Sequence, residues 1–385
     1  MTPEHDHLAR RRRIRSNSWL TTLVTLAFFM FAAITASSQE TARTAGAAAA
    51  TSHTRTLLVL HTNDIHDIIK PPTTGNQLGG LAYVAGYVHK VRAERKDVLV
   101  LDAGDELQKG DQMSVVTKGE VMYRALGAVG YDASVPGNHD FFYGMDQLMK
   151  NITTGGFPVL CSNLLYADDG KPILPETLEK EVNGVRVGII GATIGRTPRG
   201  TFQGRAVKML DRPDLEERIH RLAVEMKPRV DLIICIYHQG TYAAKVAARY
   251  APEVNLFIQG HTNEVTEQPM VTTESGALIV TVGRAAQWVG HLDMVVDTDA
   301  KKIAKYDYKL VPMDHKTIQP DEELAKQITA WDKQYTPKGE KGGATGSKGS
   351  GGQKGAKGGK GVKSGNGKMG KGAAAKEAPT DQEPD

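Results

Sequence analysis

Five short apolar runs in this 385-residue chain end in residues able to bind a cation or move a proton. Residues 57–60 lead into His61-Thr62-Asn63-Asp64-Ile65-His66, and residues 98–101 into Asp102-Ala103-Gly104-Asp105. Residues 133–135 lead into Pro136-Gly137-Asn138-His139-Asp140, residues 232–236 into Tyr237-His238, and residues 256–258 into Gln259-Gly260-His261-Thr262-Asn263. Carboxylate, imidazole and amide donors without a thiolate suit zinc, manganese or iron rather than calcium. Asp64 and His66 are two apart, so in extended chain they point the same way and can share one ion. Gly104, Gly137 and Gly260 precede Asp105, Asn138 and His261, where they would let the backbone turn sharply. Two ions sharing a carboxylate can activate water and neutralise an oxyanion during an in-line displacement.

Such donors converge only if a sheet carries them. A sixth apolar run, residues 187–190, and helical patterns at 81–95, 115–129 and 215–226 alternate with the five above. That spacing predicts βαβ units on a mainly parallel sheet, whose strands would open at their carboxyl ends onto a ligand crevice. Beyond Gly276 the runs at 277–282, 289–296 and 303–311 crowd together and predict an antiparallel meander. Residues 321–334 predict a final helix.

Charge is unevenly distributed. Residues 337–385 hold ten Lys against five acidic residues, and residues 1–38 hold five Arg against Glu4 and Asp6. Against a whole-chain formal charge of +4, the middle of the chain is therefore slightly acidic. A basic nucleic-acid-binding domain would carry its charge on the folded part, so no sequence-specific nucleic-acid binding is expected. Arg10 to Arg13 and Arg15, an uncharged apolar run over 19–36, and small residues at 36–38 read as a signal peptide or signal-anchor over 1–38, with a weak likeness to a twin-arginine export signal. The chain is expected to be secreted, periplasmic or membrane-anchored facing out of the cytosol, with a linker over 39–56. Two Cys, 161 and 235, lie in apolar runs and read as buried free thiols, a disulfide being the alternative. Asn151-Ile152-Thr153 is a glycosylation sequon. From 343 to 370 Gly falls at every third position except Ser364. Without Pro in the triplets this favours a disordered basic tail over a collagen-like stem, able to meet a polyanion or an anionic membrane surface.

Taken in order, His61-Thr62-Asn63-Asp64-Ile65-His66, Gly104-Asp105, Gly137-Asn138-His139-Asp140, His238 and Gly260-His261-Thr262-Asn263 resemble the motifs of the calcineurin-like metallophosphoesterases, and more narrowly the catalytic domain of the 5′-nucleotidase family. The resemblance covers roughly residues 57–312, including Cys161-Ser162-Asn163 and Glu181-Val182-Asn183-Gly184-Val185. It implies a four-layer α/β/β/α sandwich over 57–312, followed by a C-terminal helix in 313–336. It implies a dinuclear phosphoester hydrolase that cleaves nucleotides or related phosphomonoesters with a metal-activated hydroxide. The cofactors would be two divalent ions, Zn, Mn, Fe or Co. By the same resemblance Asp64 and His66 would bind the first metal, with Asn263 completing it. Asp105 would bridge, and Asn138, His238 and His261 would bind the second. His139 would be the catalytic residue that stabilises the transition state or protonates the leaving oxygen. No substrate-binding residue is assigned.

Three departures stand out. Phe142 occupies the position, three after the catalytic His, where relatives commonly carry an orienting acid; Asp140 or Asp111 could substitute. Asp67 stands where the family prefers a small residue, and would alter metal preference or hinder anions if it faced the metals. The family pairs this domain with a nucleoside-clamping domain, and the expectation is that the Gly/Lys tail stands in its place. Alternative readings are a phosphodiesterase or UDP-sugar hydrolase on the same site, or a catalytically degenerate binding module. His61 reads as a strand residue packed behind the site, and Asp102 as a turn or capping residue. His220, His291 and His315 read as structural. Gly79-Gly80 reads as a plain helix start rather than a phosphate cradle.

Overall fold

Successive residues of a strand point to opposite faces, and here both faces are apolar. In the computed structural model, which describes residues 53–73, 77–108, 110–195, 198 and 200–336, this alternation separates the core into layers. The expected export segment and tail, and residues 39–52 of the expected linker, lie outside the described residues. In chain order the strands are β1 (Thr54–Thr62), β2 (Val98–Asp102), β3 (Ala133–Ser134), β4 (Leu164–Tyr166), β5 (Thr177–Val182), β6 (Val185–Thr193), β7 (Thr201–Phe202), β8 (Arg205–Met209), β9 (Leu232–His238), β10 (Leu256–Gln259), β11 (Met270–Val271), β12 (Leu278–Val280), β13 (Trp288–Asp297) and β14 (Lys302–Pro312). The helices are α1 (Leu81–Glu94), α2 (Gln112–Val116), α3 (Glu120–Val129), α4 (Met145–Gly155), α5 (Asp214–Met226), α6 (Thr241–Tyr250) and α7 (Glu322–Tyr335). Strand β1 thus begins inside the stretch expected as linker, because Thr54 already pairs with Asp297 of β13.

Leu57, Val59, Leu99 and Leu101 from one sheet meet Val187, Ile189, Leu232, Ile234 and Ile236 from the other in a central apolar cluster. Their neighbours face outward. Leu58, Leu60, Val98 and Val100 pack under α1, α3, α4 and α7, while Ile233, Cys235 and Tyr237 pack under α5 and α6. The order is helix, sheet, sheet, helix, the four-layer sandwich expected. Each fully buried Leu or Ile contributes about 1.5–3 kcal/mol, so a one-residue slip would exchange the two faces of a strand and misplace its end.

The first sheet runs β14-β13-β1-β2-β3 and the second β11-β12-β10-β9-β6-β5, with β4-β8-β7 a small third sheet. Strands β1, β2 and β3 are parallel, as are β6, β9, β10 and β12. The expected meander after Gly276 is corrected. Strand β12 joins the second sheet in parallel with β10, whereas β13 and β14 cross to the first sheet as an antiparallel pair. The crossing loop bends through left-handed backbone at Gly283, Ala285 and Ala286.

The helix expected over 115–129 is also interrupted. It divides at Lys118 and Gly119, with φ of 54° and 89°, and a side chain at Gly119 would stand 2.7 Å from Asn151 Nδ2. Asn151 of the sequon is itself buried, donating to the Lys118 carbonyl at 2.9 Å. Both cysteines are buried free thiols in separate layers. Helix α7 starts where expected, since the Asp321 carboxylate accepts from the Leu324 N–H at 2.8 Å. No helix among the described residues is long and apolar enough to cross a membrane.

At the end of the sheet away from the carboxyl termini of the parallel strands, Arg95 ties β1, β2 and β13 together through Asp97 and Asp293. The Asp97 carboxyl also accepts from Thr56. Its hydrogen bonds to Arg95, more than the opposing effect of burial, lower it from 3.8 to about 2. A depressed carboxyl stabilises the fold above its ordinary value and loses that contribution as pH falls through the folded one. Asp97→Asn should therefore lower stability at neutral pH and flatten its decline between pH 3.8 and about 2, read by chemical denaturation. Gly86 offers a second test. Replacing Gly by Ala within a helix ordinarily gains about 1 kcal/mol. Here the added carbon would fall 2.0 Å from the Gln319 carbonyl, where the chain leading to α7 crosses α1. Gly86→Ala should instead destabilise by about 1–3 kcal/mol, seen as a lower melting temperature.

Candidate metal centre

The carboxyl ends of β1, β2, β3, β9 and β10 bring the five sequence motifs together. Backbone bonds extend the β1–β2 pairing beyond the strands: Asp64 N–H donates to the Gly104 carbonyl at 2.8 Å and His66 N–H to the Asp105 carbonyl at 3.0 Å. Asp105 then belongs to two donor groups, Asp64–His66–Asp105 and Asp105–His238–His261, each with ligand atoms within 4.8 Å of one another. The two amides stand beside them. Asn263 Oδ1 is 3.3 Å from His66 Nε2, and Asn138 Oδ1 is 3.0 Å from His261 Nδ1. All seven residues expected as ligands are thus assembled.

The backbone is strained at five of them. Asp64 (φ 53°), His66 (57°), Asp105 (61°), His261 (87°) and Asn263 (53°) occupy the left-handed region, which is uncommon outside glycine and costs of order 1–3 kcal/mol per residue where the surroundings enforce it. The same conformation occurs at Asp67 beside them and at residues in other turns, such as Lys118, Asn183 and Lys301. The nearby glycines act differently from the expectation. Gly104 does turn, with φ of 84°. Gly137 and Gly260 instead make room: a β-carbon on Gly137 would lie 2.0 Å from Asp105 Oδ1, and one on Gly260 would lie 2.7 Å from His238 Nδ1.

Charge is concentrated at the donors. Asp64, Asp105 and His238 are fully buried. Desolvation, reinforced by Asp105, pushes the Asp64 carboxyl up to about 7 despite the attraction of His238. Burial also opposes charge on Asp105, but His238, His139 and His66 hold it below the ordinary carboxylate value. His238 has lost its solvation as well, yet Asp105 and Asp64 raise its pKa to about 9. Its Nδ1–H donates to the Ala103 carbonyl at 2.6 Å, leaving Nε2 facing Asp105 Oδ2 at 3.2 Å without a hydrogen-bonding alignment. Two buried carboxylates, a buried imidazole nitrogen without a hydrogen bond and neutral amide oxygens fit a site that takes divalent cations.

His139 stands at the exposed edge. Its backbone N–H donates to Asp105 Oδ1 at 2.9 Å, and its ring meets that of His66 edge-on at 5.4 Å. Neither acid considered as a replacement orients it. The Asp140 carboxylate is buried and accepts from the N–H groups of Gly137, Asp105 and Glu106. The Asp111 carboxylate accepts from Ile69 and Lys70. Asp67 turns away from the donor groups and fastens the following loop, accepting from Ser114 Oγ and from Gln108 N–H at 2.7 Å.

Sequence reasoning passed over Asn63, although it lies inside the first motif. Its side-chain N–H groups donate to Asp64 Oδ2 and the Gly283 carbonyl, both at 2.6 Å, and its Oδ1 accepts from Val282 N–H at 2.9 Å. It thereby ties Asp64 to the loop that crosses between sheets. Glu106 was also missed. It is fully buried, and desolvation followed by Asp102 raises its carboxyl well above the ordinary value. The histidines without motifs are structural. His315 Nε2 lies 3.0 Å from the Gly79 carbonyl, His220 pairs with Glu253, and His291 bonds Tyr87. His61 is buried against Tyr308, and Asp102 binds the Gly104 turn. Gly79 and Gly80 allow close packing against Ala285 and Pro71.

Comparison with known proteins agrees with this geometry. The family model for calcineurin-like phosphoesterases matches residues 57–264. Similar proteins include a 5′-nucleotidase of Diplobatis ommata, 30% identical over 54% of this chain and 37% of its own length. Endonuclease YhcR of Bacillus subtilis is 25% identical over 69% of this chain and 24% of its own. A snake venom 5′-nucleotidase of Gloydius brevicauda is 28% identical over 71% and 50%. The chain spans between about a quarter and a half of the length of these relatives. Among solved structures, the 5′-nucleotidase precursor of Thermus thermophilus superposes with a TM-score of 0.65 at 24% identity, covering 73% of this chain and 59% of that one. The calcineurin-like phosphoesterase YfkN of Bacillus subtilis gives 0.61 at 19% identity over 73% and 98%. With the matched segment spanning all five strand-end motifs, the chain belongs to the calcineurin-like phosphoesterase family.

Proposed function

We propose that this domain hydrolyses phosphoesters, with nucleotide-type phosphomonoesters first among its substrates, using two divalent cations that share Asp105. The observation that carries the proposal is that one buried carboxylate belongs to both donor groups while accepting the backbone N–H of His139. Asp64, His66 and Asn263 would hold one cation, and Asn138, His238 and His261 the other. Cations held there would supply positive charge to a phosphoryl group and lower the pKa of a water nearby.

The protein's own groups set the geometry around that chemistry. Asn63 keeps Asp64 aligned, the Ala103 carbonyl fixes the His238 tautomer, and the close-approach glycines leave room for both. A charged phosphate would meet Asp64, Asp105 and His238, which are withdrawn from solvent, so fixed charges there act strongly. His139 is partly open to solvent, beside the buried donors. From there its ring can donate a proton to a departing oxygen. Phosphodiesters form the second substrate class, favoured by the likeness to an endonuclease.

The test is phosphate release by the full chain with Mn²⁺, Zn²⁺ or Co²⁺ from AMP and p-nitrophenyl phosphate, with bis(p-nitrophenyl) phosphate as the diester. Asp105→Asn should lower hydrolysis by more than about 10²-fold, since even residues that merely support metal ligands are worth 10–100-fold. It should also abolish the rise in melting temperature that Mn²⁺ produces in the wild type. Hydrolysis unaffected by Asp105→Asn would refute the site. Asn63→Ala should weaken Mn²⁺ affinity about 10–100-fold while the chain still folds, measured by calorimetric titration.

A further inference from the structure

Phe142 is a large apolar side chain left 56% exposed beside the most polar part of the molecule. Its position follows from the short 3₁₀ helix His139–Phe141, which Phe142 closes by donating its N–H to the His139 carbonyl at 3.0 Å. In a 3₁₀ turn the residues i and i+3 lie one above the other, so Phe142 occupies the same face as His139. The separation along the axis is about 6 Å, at 2 Å per residue.

The ring is backed by the structure. Tyr143 meets it edge-on, with centroids 4.9 Å apart and planes at 89°. Tyr143 is itself packed against the first helical layer, and its hydroxyl points to the Val115 carbonyl at 3.5 Å. Phe142 is thus an aromatic surface supported from within and a little more than half exposed. An orienting acid at this position would add negative charge beside His139. Phe142 adds none, and leaves a flat apolar face.

We propose that Phe142 is a specificity-determining residue that receives the leaving group of the substrate, and that this leaving group carries a planar aromatic ring, as a nucleoside does. The inference rests on the reading of His139 as proton donor to the departing oxygen. Among the metal donors, Asp64, Asp105 and His238 are inaccessible to solvent, whereas His139 is partly open. Whatever the departing oxygen carries must therefore extend outward past His139. One 3₁₀ turn from His139 along the chain stands the exposed Phe142 ring. Stacking of a base on an aromatic side chain tolerates different bases, because every base presents a π-face. Phe142 would accordingly favour nucleosides over non-aromatic alcohols without choosing strongly among bases.

The experiment measures kcat and KM of the full chain with Mn²⁺ for AMP and for ribose 5-phosphate, which shares the sugar and phosphate but lacks the base. The ratio of kcat/KM for AMP over ribose 5-phosphate should fall about tenfold in Phe142→Ala, mainly through KM. It should be retained in Phe142→Trp and lost in Phe142→Leu, which keeps apolar bulk without a ring. Tyr250→Ala, which removes an exposed ring at the C-terminal end of α6, should leave the ratio unchanged. An unchanged ratio in Phe142→Ala, or a ratio preserved by Leu, overturns the inference while leaving the hydrolase reading intact. If the wild type hydrolyses neither compound, the hydrolase reading fails, and calorimetric titration with AMP then decides for Phe142. A dissociation constant about tenfold weaker in Phe142→Ala supports the subsite, and an unchanged constant overturns it.

Discussion

Two carboxylates, Asp64 and Asp105, are buried at the ends of adjacent parallel strands, where loss of water opposes their charge. Burying an uncompensated charge is among the most unfavourable things a fold can do, and the surrounding groups act to reduce that cost. His238 holds its proton more tightly than a free imidazole because Asp105 faces it. The Asp64 carboxylate accepts from the Asn63 amide and from the His261 N–H. The Asp105 carboxylate accepts from the His139 N–H. Left-handed backbone at Asp64, His66 and Asp105 adds strain to the same place. A divalent cation held there would relieve several of these costs together, so the candidate metal centre and the stability of the strand ends are a single physical problem.

The layered core makes that concentration tolerable. Strands β1, β2 and β9 are buried on both faces, and apolar residues alternate between the central cluster and the helical layers. Register is consequently rigid, and each strand delivers its last residue to a defined point. The loop that follows β12 contributes from outside the motifs. It carries the chain from the second sheet to the first, and its Gly283 carbonyl and Val282 N–H hold Asn63. The crossing that corrected the expected meander is therefore also a support for the metal centre.

Two departures from the family pattern have different physical meanings. Asp67 adds charge near the donors but directs it to the Gln108 N–H and the Ser114 hydroxyl. Phe142 removes a charge and, among the described residues, leaves His139 without a carboxylate hydrogen-bonded to its ring. Its exposed ring belongs to the approach to the site rather than to the donor shell.

The sequence alone showed apolar runs ending in Asp, His and Asn at the carboxyl ends of a mainly parallel sheet, while the four-layer fold and the roles of the donors came from the order of the motifs, through their resemblance to a known family. It also located the final helix over 321–334, whose Asp321 cap the structure then showed. What only the tertiary structure decided was long-range. No local pattern places Asn63 against Gly283, some 220 residues away, or shows that Gly137 exists to clear the Asp105 carboxylate. Asn151 looks like a surface sequon until α4 packs it against the Lys118 carbonyl. The helical pattern over 115–129 persists through a break imposed by the approach of Leu107 and Asn151 to Gly119. Asp67 illustrates the reason. A side chain's type states which interactions it can make, but its direction depends on backbone angles and packing partners that arrive from distant parts of the chain.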